Sequence, residues 1–338
     1  MDKKILVTGG LGYIGSHTCI ELINNGFNVS IIDNLVNSDI TSLKSIEKIT
    51  GVKINFYMVD LTDYKRIKNK LENENFDIII HFAALKSVSE SINFPEKYMD
   101  NNIGSLKSIL KFMEYKNIKK LLFSSSCTVY GKPDSLPVTE ESIFKKPESP
   151  YAETKQISEK LIDEFSNKFK QNSISLRYFN PVGAHHSGLI GEKPKGKPEN
   201  LVPYITETAI GLRKSLSVFG SDYKTKDGTP VRDYIHIVDL ANAHVAAVIR
   251  LINYKSKKYY EVFNIGTGKG HSVLEVINAF KKVNKVDINY KIVGRRKGDI
   301  DIIFSDNTLS REILNWMPKK TIEDMMESSW RWQKNINR

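Results

Sequence analysis

The chain has 338 residues, of which 40% are hydrophobic and 26% are charged, and its formal net charge is +11. This length suits one large domain or two smaller ones, and the composition is that of an ordinary globular protein. No window approaches the ~20 apolar residues of a membrane span, and two isolated cysteines, Cys19 and Cys127, exclude a disulfide framework or a zinc cluster. We expect a reducing, cytosolic location and no signal peptide, because the chain runs directly into a strand.

The positive charge leaves two interpretations open. A basic patch would indicate nucleic-acid binding, whereas lysines scattered over solvated faces carry no such function. The basic stretch Lys255-Ser256-Lys257-Lys258 is short and stands between two apolar segments. The second interpretation is favoured, with part of the charge serving an anionic small molecule.

The first 180 residues alternate short apolar runs with amphipathic ones. Strands are predicted at residues 4–8, 28–32, 54–59, 78–82, 120–124 and 174–179. Helices are predicted between them at 13–25, 41–49, 63–72, 95–115 and 151–169. Continuous apolar runs are typical of parallel strands buried on both faces. Their alternation with helices predicts an α/β fold with a doubly wound parallel sheet.

The pattern changes after Asn180-Pro181. Residues 183–200 are rich in Gly, Pro, His and Lys and predict a long loop. Helices are predicted at 201–213, 237–252, 273–283 and 322–333, and short strands near 217–219, 262–265 and 287–292. We therefore expect two domains, with residues 1–180 forming the sheet and residues 181–338 a smaller, mixed α/β substrate lobe.

A glycine motif follows the first predicted strand and opens the first helix. In Thr8-Gly9-Gly10-Leu11-Gly12-Tyr13-Ile14-Gly15, Gly9 permits the tight turn, Gly12 lets the backbone approach a pyrophosphate, and Gly15 lets the helix pack on the strand. The phosphates would then lie at the helix N-terminus, which favours anions. In this context the motif predicts a dinucleotide site and a Rossmann-type fold.

Two acidic residues follow the next two strands. Asp33 can accept hydrogen bonds from the adenosine ribose hydroxyls and repel a 2′-phosphate, which favours NAD over NADP. Its alternative role is that of a turn residue before Asn34. Asp60 stands where the adenine edge is expected, and its alternative role is the N-cap of the helix that begins near Asp63.

Tyr151 and Lys155 provide a candidate catalytic pair. The Tyr-x-x-x-Lys spacing occurs four times in the chain, but this copy alone follows the serine run Ser124-Ser125-Ser126 and a proline-bounded loop. Positions i and i+4 share one helix face, and a nearby ammonium lowers the pKa of a tyrosine. Ser126, at the end of the fifth strand, can bind the same substrate hydroxyl and relay its proton.

The residues after Ser126 narrow the chemistry. A sugar dehydratase needs an extra acid and base here to eliminate water, yet positions 127 and 128 hold Cys127 and Thr128. That favours oxidation and reduction without elimination. Cys127 could act in an epimerase–reductase, but a packed strand-end residue is the commoner role. His185-His186 is similar to a metal-binding pair, but no third ligand is evident.

With these residues the chain resembles the UDP-glucose 4-epimerase family of the extended short-chain dehydrogenase/reductases, over nearly its whole length. The resemblance is carried by residues 7–17, Phe82-Ala83-Ala84-Leu85-Lys86, residues 124–131, Arg177-Tyr178-Phe179-Asn180-Pro181-Val182-Gly183-Ala184-His185 and Val231-Arg232-Asp233-Tyr234-Ile235-His236. It implies that Tyr151 and Ser126 take the proton from the sugar 4-hydroxyl while C4 gives hydride to tightly held NAD. The 4-keto sugar then turns about its link to the diphosphate, and hydride returns to its other face. The implied reaction is the interconversion of UDP-galactose and UDP-glucose in galactose metabolism, carried out by a homodimer joined through helices 95–115 and 151–169.

The resemblance also assigns residues to the two ligands. The NAD site would be formed by Gly9, Gly12, Tyr13, Ile14, Gly15, Asp33, Asn34, Asn37, Ser38, Asp60, Leu61, Phe82, Ala83, Ala84, Lys86, Asn101, Ser124, Tyr151, Lys155, Tyr178 and Phe179. The UDP-sugar would be held by Ser126, Thr128, Asn180, Asn200, Leu201, Phe219, Arg232, Arg296 and Asp299. Arginines are permanent cations suited to a diphosphate. The alternatives are a surface pair of Arg232 with Asp233, and solvated charge for Arg295-Arg296.

Two positions depart from the family pattern or leave it open. Glu199 stands where family members often carry asparagine, which adds negative charge near the uridine site. Ile303, four residues after Asp299, would border the C2 substituent of the sugar, where a small residue goes with N-acetylated substrates and a tyrosine with their exclusion. Epimerisation of UDP-N-acetylhexosamines therefore stays open, and a 4-epimerase of UDP-uronates with the same machinery is a further alternative. An inactive NAD-sensing protein is a more distant alternative, because such a protein has no need of Ser126, Tyr151 and Lys155 together.

Overall fold

The structure is a computed structural model that describes residues 3–296 and 299–337. Within these residues the strands are β1 Lys4–Thr8, β2 Asn28–Asp33, β3 Asn55–Met58, β4 Ile78–His81, β5 Lys120–Ser126, β6 Asn172–Tyr178, β7 Asn180–Val182, β8 Leu216–Phe219, β9 Val231–His236, β10 Tyr260–Ile265, β11 Gly270–Ser272, β12 Tyr290–Val293 and β13 Ile302–Ile303. The α-helices are α1 Tyr13–Asn24, α2 Thr41–Thr50, α3 Tyr64–Leu71, α4 Val88–Asn93, α5 Pro95–Tyr98, α6 Gly104–Lys116, α7 Pro150–Phe169, α8 Leu201–Ala209, α9 Ile237–Ile252, α10 Val273–Asn284, α11 Thr308–Ile313 and α12 Ile322–Ile336.

A parallel sheet organises the molecule. Among the described residues it contains seven strands in the order β10-β6-β5-β4-β1-β2-β3. Successive side chains of a strand point to opposite faces, so Ile5 and Val7 join one core cluster with α1 and α9, and Leu6 joins another with α3 and α6. Helices thus cover both faces, and the predicted doubly wound α/β fold is confirmed.

The second half of the chain contributes to this sheet as well as to a separate lobe. Strand β10 pairs with β6 in parallel register, and helix α9 packs on α1. The division into residues 1–180 and 181–338 stays a prediction, and the sheet itself extends beyond it.

The small lobe is built on β9. Strands β7, β11 and β13 pair with β9, and β8 pairs with β12 in a separate ribbon. Helices α8, α10 and α12 enclose the core of this lobe, which includes Ile205, Phe280 and Met326. The lobe therefore lies beyond the end of β6, because β7 begins only two residues after that strand ends.

Two predicted helices differ from the observed ones. The helix expected at 95–115 is interrupted by a π-helical turn at Met99–Ile103. The helix expected at 201–213 ends at Ala209, because the chain turns at Gly211 with a positive φ of 84°. Left-handed backbone of this kind is adopted readily by glycine and ends helices.

Within residues 3–296 and 299–337, no helix combines the length and the apolar character that crossing a bilayer requires.

Candidate active site

The predicted cofactor residues follow the carboxyl ends of neighbouring parallel strands, which meet at one edge of the sheet. Open α/β sheets bind their ligands at this edge. After β1 come Gly9, Gly12, Tyr13, Ile14 and Gly15; after β2 Asn34, Asn37 and Ser38; after β3 Asp60 and Leu61; after β4 Phe82, Ala83, Ala84 and Lys86; and at the ends of β5 and β6 Ser124, Tyr178 and Phe179. Asn101 lies in the π-helical turn before α6.

The glycine loop between β1 and α1 has no room for side chains at two positions. Gly9 has a positive φ of 65°, and a Cβ there would lie 2.8 Å from the backbone N of Ala83. A Cβ on Gly15 would lie 2.4 Å from the carbonyl oxygen of Gly9. At Gly12 a Cβ would meet only that same oxygen, at 3.3 Å, so the outer side of the loop is open. The free N–H groups at the start of α1 can therefore receive a diphosphate, and the loop fits a dinucleotide.

Asp33 fastens the glycine loop to the loop after β2. Its carboxylate is buried and accepts hydrogen bonds from the backbone N of Leu11 at 3.1 Å, from the backbone N of Leu35 at 2.9 Å and from Ser38 Oγ at 2.7 Å. Asp33 is thus a turn residue by its contacts, and it also lies beside the glycine loop. These contacts fix the position at which a ribose would meet the carboxylate.

Asp60 and Asp63, which both follow β3, accept hydrogen bonds from different groups. Asp60 accepts from Asn34 Nδ2 at 3.0 Å and from the Thr62 hydroxyl at 2.7 Å. Burial raises the pKa of Asp60, but the hydrogen bonds from Thr62 and Asn34 outweigh it and hold that pKa below its usual value. The N-cap of α3 is Asp63, which accepts from the backbone N of Arg66. Asp60 therefore does not cap this helix.

The catalytic candidates meet where β5 ends against α7. Lys155 is 4% exposed, and its ammonium donates to the carbonyl oxygen of Ser124 at 2.7 Å. The same nitrogen lies 5.8 Å from the centre of the Tyr151 ring. The hydroxyls of Ser124 and Tyr178 share a hydrogen bond. Four predicted residues, Ser124, Tyr151, Lys155 and Tyr178, thus lie together at the carboxyl end of β5.

Burial dominates the acid–base properties of this cluster. It raises the pKa of Tyr151 to about 12, and a hydrogen bond with Ser126 opposes the rise. Burial lowers the pKa of Lys155 to about 8, against the raising effect of Glu159. At neutral pH Lys155 is therefore mostly an ammonium, and Tyr151 needs further positive charge nearby before it can act as a base.

Ser126 is oriented by its own turn. Its Oγ accepts from the Thr128 hydroxyl at 3.0 Å and from the Thr128 backbone N at 3.3 Å, at the start of the 3₁₀ turn Cys127–Tyr130. Burial raises the pKa of the neighbouring Cys127 thiol to about 12, although the charge of Arg232 lowers it. The thiol is thus neutral. Arg232 of the small lobe lies near the end of β5, because it pairs in register with Ile303, which packs in the cluster that Cys127 borders.

Three charged side chains of the small lobe form a compact cluster. Arg232 NH2 and Arg296 NH2 lie 3.1 and 2.9 Å from the same oxygen of Asp299. Arg232 is mostly buried, whereas 57% of the Arg296 side chain is exposed. Asp233 instead accepts from Thr267 and Ser305, so Arg232 does not form the surface pair with Asp233 that was its alternative. Arg295 pairs with Asp222.

Residues 192–200 link the small lobe to both sides of the predicted cofactor site, and we call them the strap. On one side Lys195 Nζ donates to the carbonyl oxygens of Leu35 and Val36 at 2.6 and 2.9 Å. On the other side Glu192 Oε1 receives Lys86 Nζ at 3.2 Å and Asn200 Nδ2 at 2.7 Å.

Two further side chains continue these links. Lys193 Nζ lies 3.2 Å from Asp39 Oδ2, and Glu199 accepts from the hydroxyls of Ser87 and Ser89. The charge that Glu199 adds near the predicted uridine site is therefore bound by two hydroxyls. Lys86 and Asn200, predicted for different ligands, converge on the one carboxylate of Glu192.

The remaining predicted substrate residues are more dispersed. Asn180 opens β7, Leu201 opens α8, and Phe219 ends β8 with 41% of its surface exposed. Ile303 is 3% exposed and packs with Val129 and Phe179 in a cluster that Cys127 borders. Ile303 lies on β13, where it is in register with Arg232 of the neighbouring strand β9. It thus lies between β9 and the end of β5.

Three residues at this site were missed by the sequence reasoning. Asn102 is buried and binds the backbone of Leu85 at both N and O, as well as the Thr154 hydroxyl, so it ties the loop after β4 to α7. Glu159 and Arg177 form a buried ion pair at 2.6 Å beneath the catalytic cluster. Glu159 stands four residues after Lys155, a spacing that could have indicated it.

The described residues contain no group of three or more His, Cys, Asp and Glu side chains placed to hold a metal ion. The rings of His185 and His186 lie 4.1 Å apart, and His185 Nδ1 shares a hydrogen bond with the Ser187 hydroxyl.

Comparison with known proteins gives consistent matches over nearly the whole chain. The family model described as GDP-mannose 4,6 dehydratase matches residues 6–329. A UDP-glucose 4-epimerase of Drosophila melanogaster is 46% identical over 336 residues, which cover 97% of this chain and 96% of that protein.

Solved structures agree with these matches. A UDP-glucose 4-epimerase of Stenotrophomonas maltophila with bound NAD and formylated UDP-arabinopyranose is 43% identical, with a TM-score of 0.95 over 99% of both chains. That of Bifidobacterium longum in complex with NAD+ and UDP is 45% identical, with a TM-score of 0.94 over 98% of both chains.

Proposed function

The chain belongs to the UDP-glucose 4-epimerase family of extended short-chain dehydrogenase/reductases, and on that basis we propose that it interconverts UDP-galactose and UDP-glucose by transient oxidation at sugar C4. The family model that matches also describes a dehydratase. Cys127 and Thr128 stand where a dehydratase needs an acid and a base, so the proposed reaction has no elimination step. Its cofactor is NAD, which the two similar structures contain.

One observation carries this proposal: Tyr151 and Lys155 meet Ser124 and Ser126 at the end of β5, on the same edge of the sheet as the glycine loop. When bound, NAD supplies the acceptor and donor for the hydride at C4 and the positive charge of its oxidised nicotinamide ring. Tyr151 takes the proton of the 4-hydroxyl, and Ser126 holds that hydroxyl. Lys155 keeps a positive charge beside the tyrosine, which favours the phenolate.

The cofactor and substrate would occupy adjoining surfaces. Asp33, held by Leu11 and Ser38, would bind the adenosine ribose and repel a 2′-phosphate, which favours NAD over NADP. Arg232 and Arg296 would bind the diphosphate of UDP, and Asp299 orients both arginines. The Asp299 carboxylate could also accept a hydrogen bond from a ribose hydroxyl of UDP. An anchor on the diphosphate leaves the sugar free to turn.

Ile303 leaves a second substrate class open. This side chain is smaller than tyrosine, and it is packed against Phe179 beside Cys127. A side chain of intermediate size at the C2 substituent leaves UDP-N-acetylhexosamines open as substrates of the same chemistry. The formylated UDP-arabinopyranose in the Stenotrophomonas maltophila structure indicates that related sites hold sugars other than hexoses.

The proposal includes a homodimer in the cytosol. The family resemblance assigns the contact to the helices 95–115 and 151–169, here α5, α6 and α7, whose outer faces carry Tyr115 and Lys160 at the surface. Both cysteines are free thiols, in keeping with a reducing compartment. Sedimentation of the purified protein tests the dimer, and a monomer at micromolar concentration would contradict it.

The decisive experiment is to incubate the purified protein with UDP-galactose, without added NAD, and to measure UDP-glucose. Conversion supports both the reaction and a cofactor retained through purification. Conversion only after NAD is added keeps the reaction and rejects tight retention. If neither condition gives UDP-glucose, UDP-N-acetylgalactosamine and UDP-galacturonate are tried next, and failure with all three substrates rejects the proposal.

A further inference from the structure

A buried carboxylate lies where the three elements of the catalytic cluster meet. Glu159 is on α7, one helical turn beyond Lys155, and it is 4% exposed. One of its oxygens accepts from the hydroxyl of Ser125, the residue between Ser124 and Ser126 on β5. The same carboxylate receives Arg177, the residue before Tyr178 on β6. Each contact of Glu159 is therefore next to a residue of the proposed site.

The pair of Glu159 with Arg177 is bidentate. Arg177 Nε lies 2.9 Å from Oε1, and Arg177 NH2 lies 2.6 Å from Oε2. Parallel N–H···O bonds of this kind fix both distance and orientation. These two bonds connect α7 to β6 one helical turn beyond Lys155. They therefore fix where Lys155 lies along the sheet.

Arg177 is itself fixed from its other side. Its NH1 donates to the Tyr130 hydroxyl at 3.0 Å and to the carbonyl oxygen of Glu140 at 3.1 Å. Tyr130 in turn donates to Asn264 Oδ1 at 2.6 Å, on β10. The network thus connects the edge of the sheet to the turn that follows Ser126. Removing two charges from water carries a free-energy penalty, so a buried ion pair is weak evidence for stability. We therefore consider that this network specifies the relative positions of α7, β5 and β6.

The charge of Glu159 also acts on Lys155. Residues four apart on a helix face each other, and a carboxylate favours the ammonium form of a neighbouring lysine. Burial lowers the pKa of Lys155 to about 8, and Glu159 opposes that fall. Without this carboxylate Lys155 would lose its proton at a lower pH.

We propose that Glu159, held by Arg177, is a positioning residue for the reaction: it places the Lys155 ammonium against Ser124 and keeps it charged without touching substrate. This inference rests on the proposed epimerase function. It predicts a change in turnover and in its pH dependence, because Lys155 acts on the chemical step and not on UDP binding.

The test compares Glu159→Gln with the wild type in UDP-galactose turnover over pH 6–10. We expect kcat to fall about tenfold or more and KM to stay within about threefold. The alkaline limb of the profile, where Lys155 loses its proton, should move about half a pH unit or more toward lower pH. Retained secondary structure by circular dichroism establishes that the variant is folded.

Two further variants distinguish a loss of the proposed role from a loss of folding. Glu159→Gln leaves the Arg177 charge buried and unpaired, which is strongly destabilising. The double variant Glu159→Gln with Arg177→Met removes both charges and should show the same lower kcat and shifted alkaline limb. Ser125→Ala removes a single hydrogen bond to the carboxylate and should lower kcat by a few-fold while the protein stays folded.

The matched control is a bidentate pair away from the proposed site, Arg250 with Glu261, which joins α9 to β10 at 2.9 and 3.1 Å. Glu261→Gln should lower the melting temperature but leave kcat and the pH profile unchanged. If the Glu159 and Ser125 variants behave like this control, Glu159 is structural and the inference is overturned. A wild type that converts no UDP-sugar overturns the proposed function and this inference together, so the two failures are distinguishable.

Discussion

Arg232 and Arg296 donate to the same oxygen atom, Oδ1 of Asp299, at 3.1 and 2.9 Å. One arginine comes from β9 and the other from the segment after β12, so a single carboxylate brings two cations of distant sequence together. A doubly charged anion that replaces or joins this carboxylate would meet both guanidinium groups at once. Asp299 thus fixes the spacing of the two guanidinium groups.

Replacing either arginine should therefore weaken substrate binding and leave the chemistry intact. We expect Arg232→Ala and Arg296→Ala each to raise KM for UDP-galactose roughly 10- to 100-fold, because a hydrogen bond to a charged group contributes about 1.5–3 kcal/mol. Inhibition by UDP should weaken in parallel. Arg295→Ala is the control, since Arg295 pairs with Asp222 and should leave KM unchanged. An equal effect of all three substitutions would contradict the assignment.

Tyr151→Phe should abolish turnover and preserve the fold. The change removes only the hydroxyl that would accept the substrate proton, and loss of a general base costs about 10²–10⁴ in rate. Steady-state assays should show that kcat falls by at least two orders of magnitude, while the affinity for UDP, measured by calorimetry, is retained. Turnover within tenfold of the wild type would rule out Tyr151 as the base.

Ile303→Ala should widen the substrate range. Removing the branched side chain opens space beside Cys127 and Phe179, so the ratio of turnover with UDP-N-acetylgalactosamine to that with UDP-galactose should rise at least about fivefold. The cavity should also cost roughly 2–5 kcal/mol of stability. Val129→Ala, in the same cluster, controls for the loss of packing and should leave the ratio unchanged. A constant ratio in Ile303→Ala would remove this residue from substrate selection.

The protein should lose stability as the pH falls below about 6.5, the ordinary pKa of histidine. Burial lowers the pKa of His17 and His81 to about 3, and that of His185, His236 and His244 to about 4. These side chains stay neutral in the folded state, whereas the unfolded chain binds protons below pH 6.5. Stability is therefore complete above that value and declines below it, by roughly 2 kcal/mol per histidine at pH 5.

Urea unfolding at pH 8.0, 6.5, 5.5 and 5.0 measures this decline. His81→Asn retains a group that can bond to Thr8 in place of Nδ1, so its stability should depend less steeply on pH than that of the wild type. A free energy of unfolding that stays constant from pH 8 to pH 5 would contradict the prediction.

The sheet could be predicted from the sequence because its strands are buried on both faces and read as continuous apolar runs. Strand β1 was predicted with its observed bounds, and β4 and β6 within two residues at each end. Strand β9 was missed because it contains Arg232 and Asp233. Its charges become tolerable only through tertiary contacts: Asp233 is fully buried yet accepts hydrogen bonds from Thr267, Gly268 and Ser305.

The site was harder to predict where burial decides the chemistry. The spacing of Tyr151 and Lys155 indicated their pairing, but not that burial raises the pKa of this tyrosine to about 12. The family resemblance likewise assigned Asn200 and Lys86 to different ligands and gave no sign that both bind Glu192. The contact of Lys86 with Glu192 joins residues 106 positions apart, and only the folded chain brings them together.

The order of the strands has a consequence for synthesis of the protein. Strand β6 ends at Tyr178, while its outer neighbour β10 begins only at Tyr260, after the chain has passed through the small lobe. Translation proceeds at about 5–20 residues per second, so a nascent chain carries β6 as an unpaired edge for a period on the order of ten seconds. An open edge of this kind is a template for pairing with other chains. The half of the protein made last therefore closes the sheet beside the catalytic strands, and until it leaves the ribosome the newly made chain depends on dilution or on chaperones to stay apart from its neighbours.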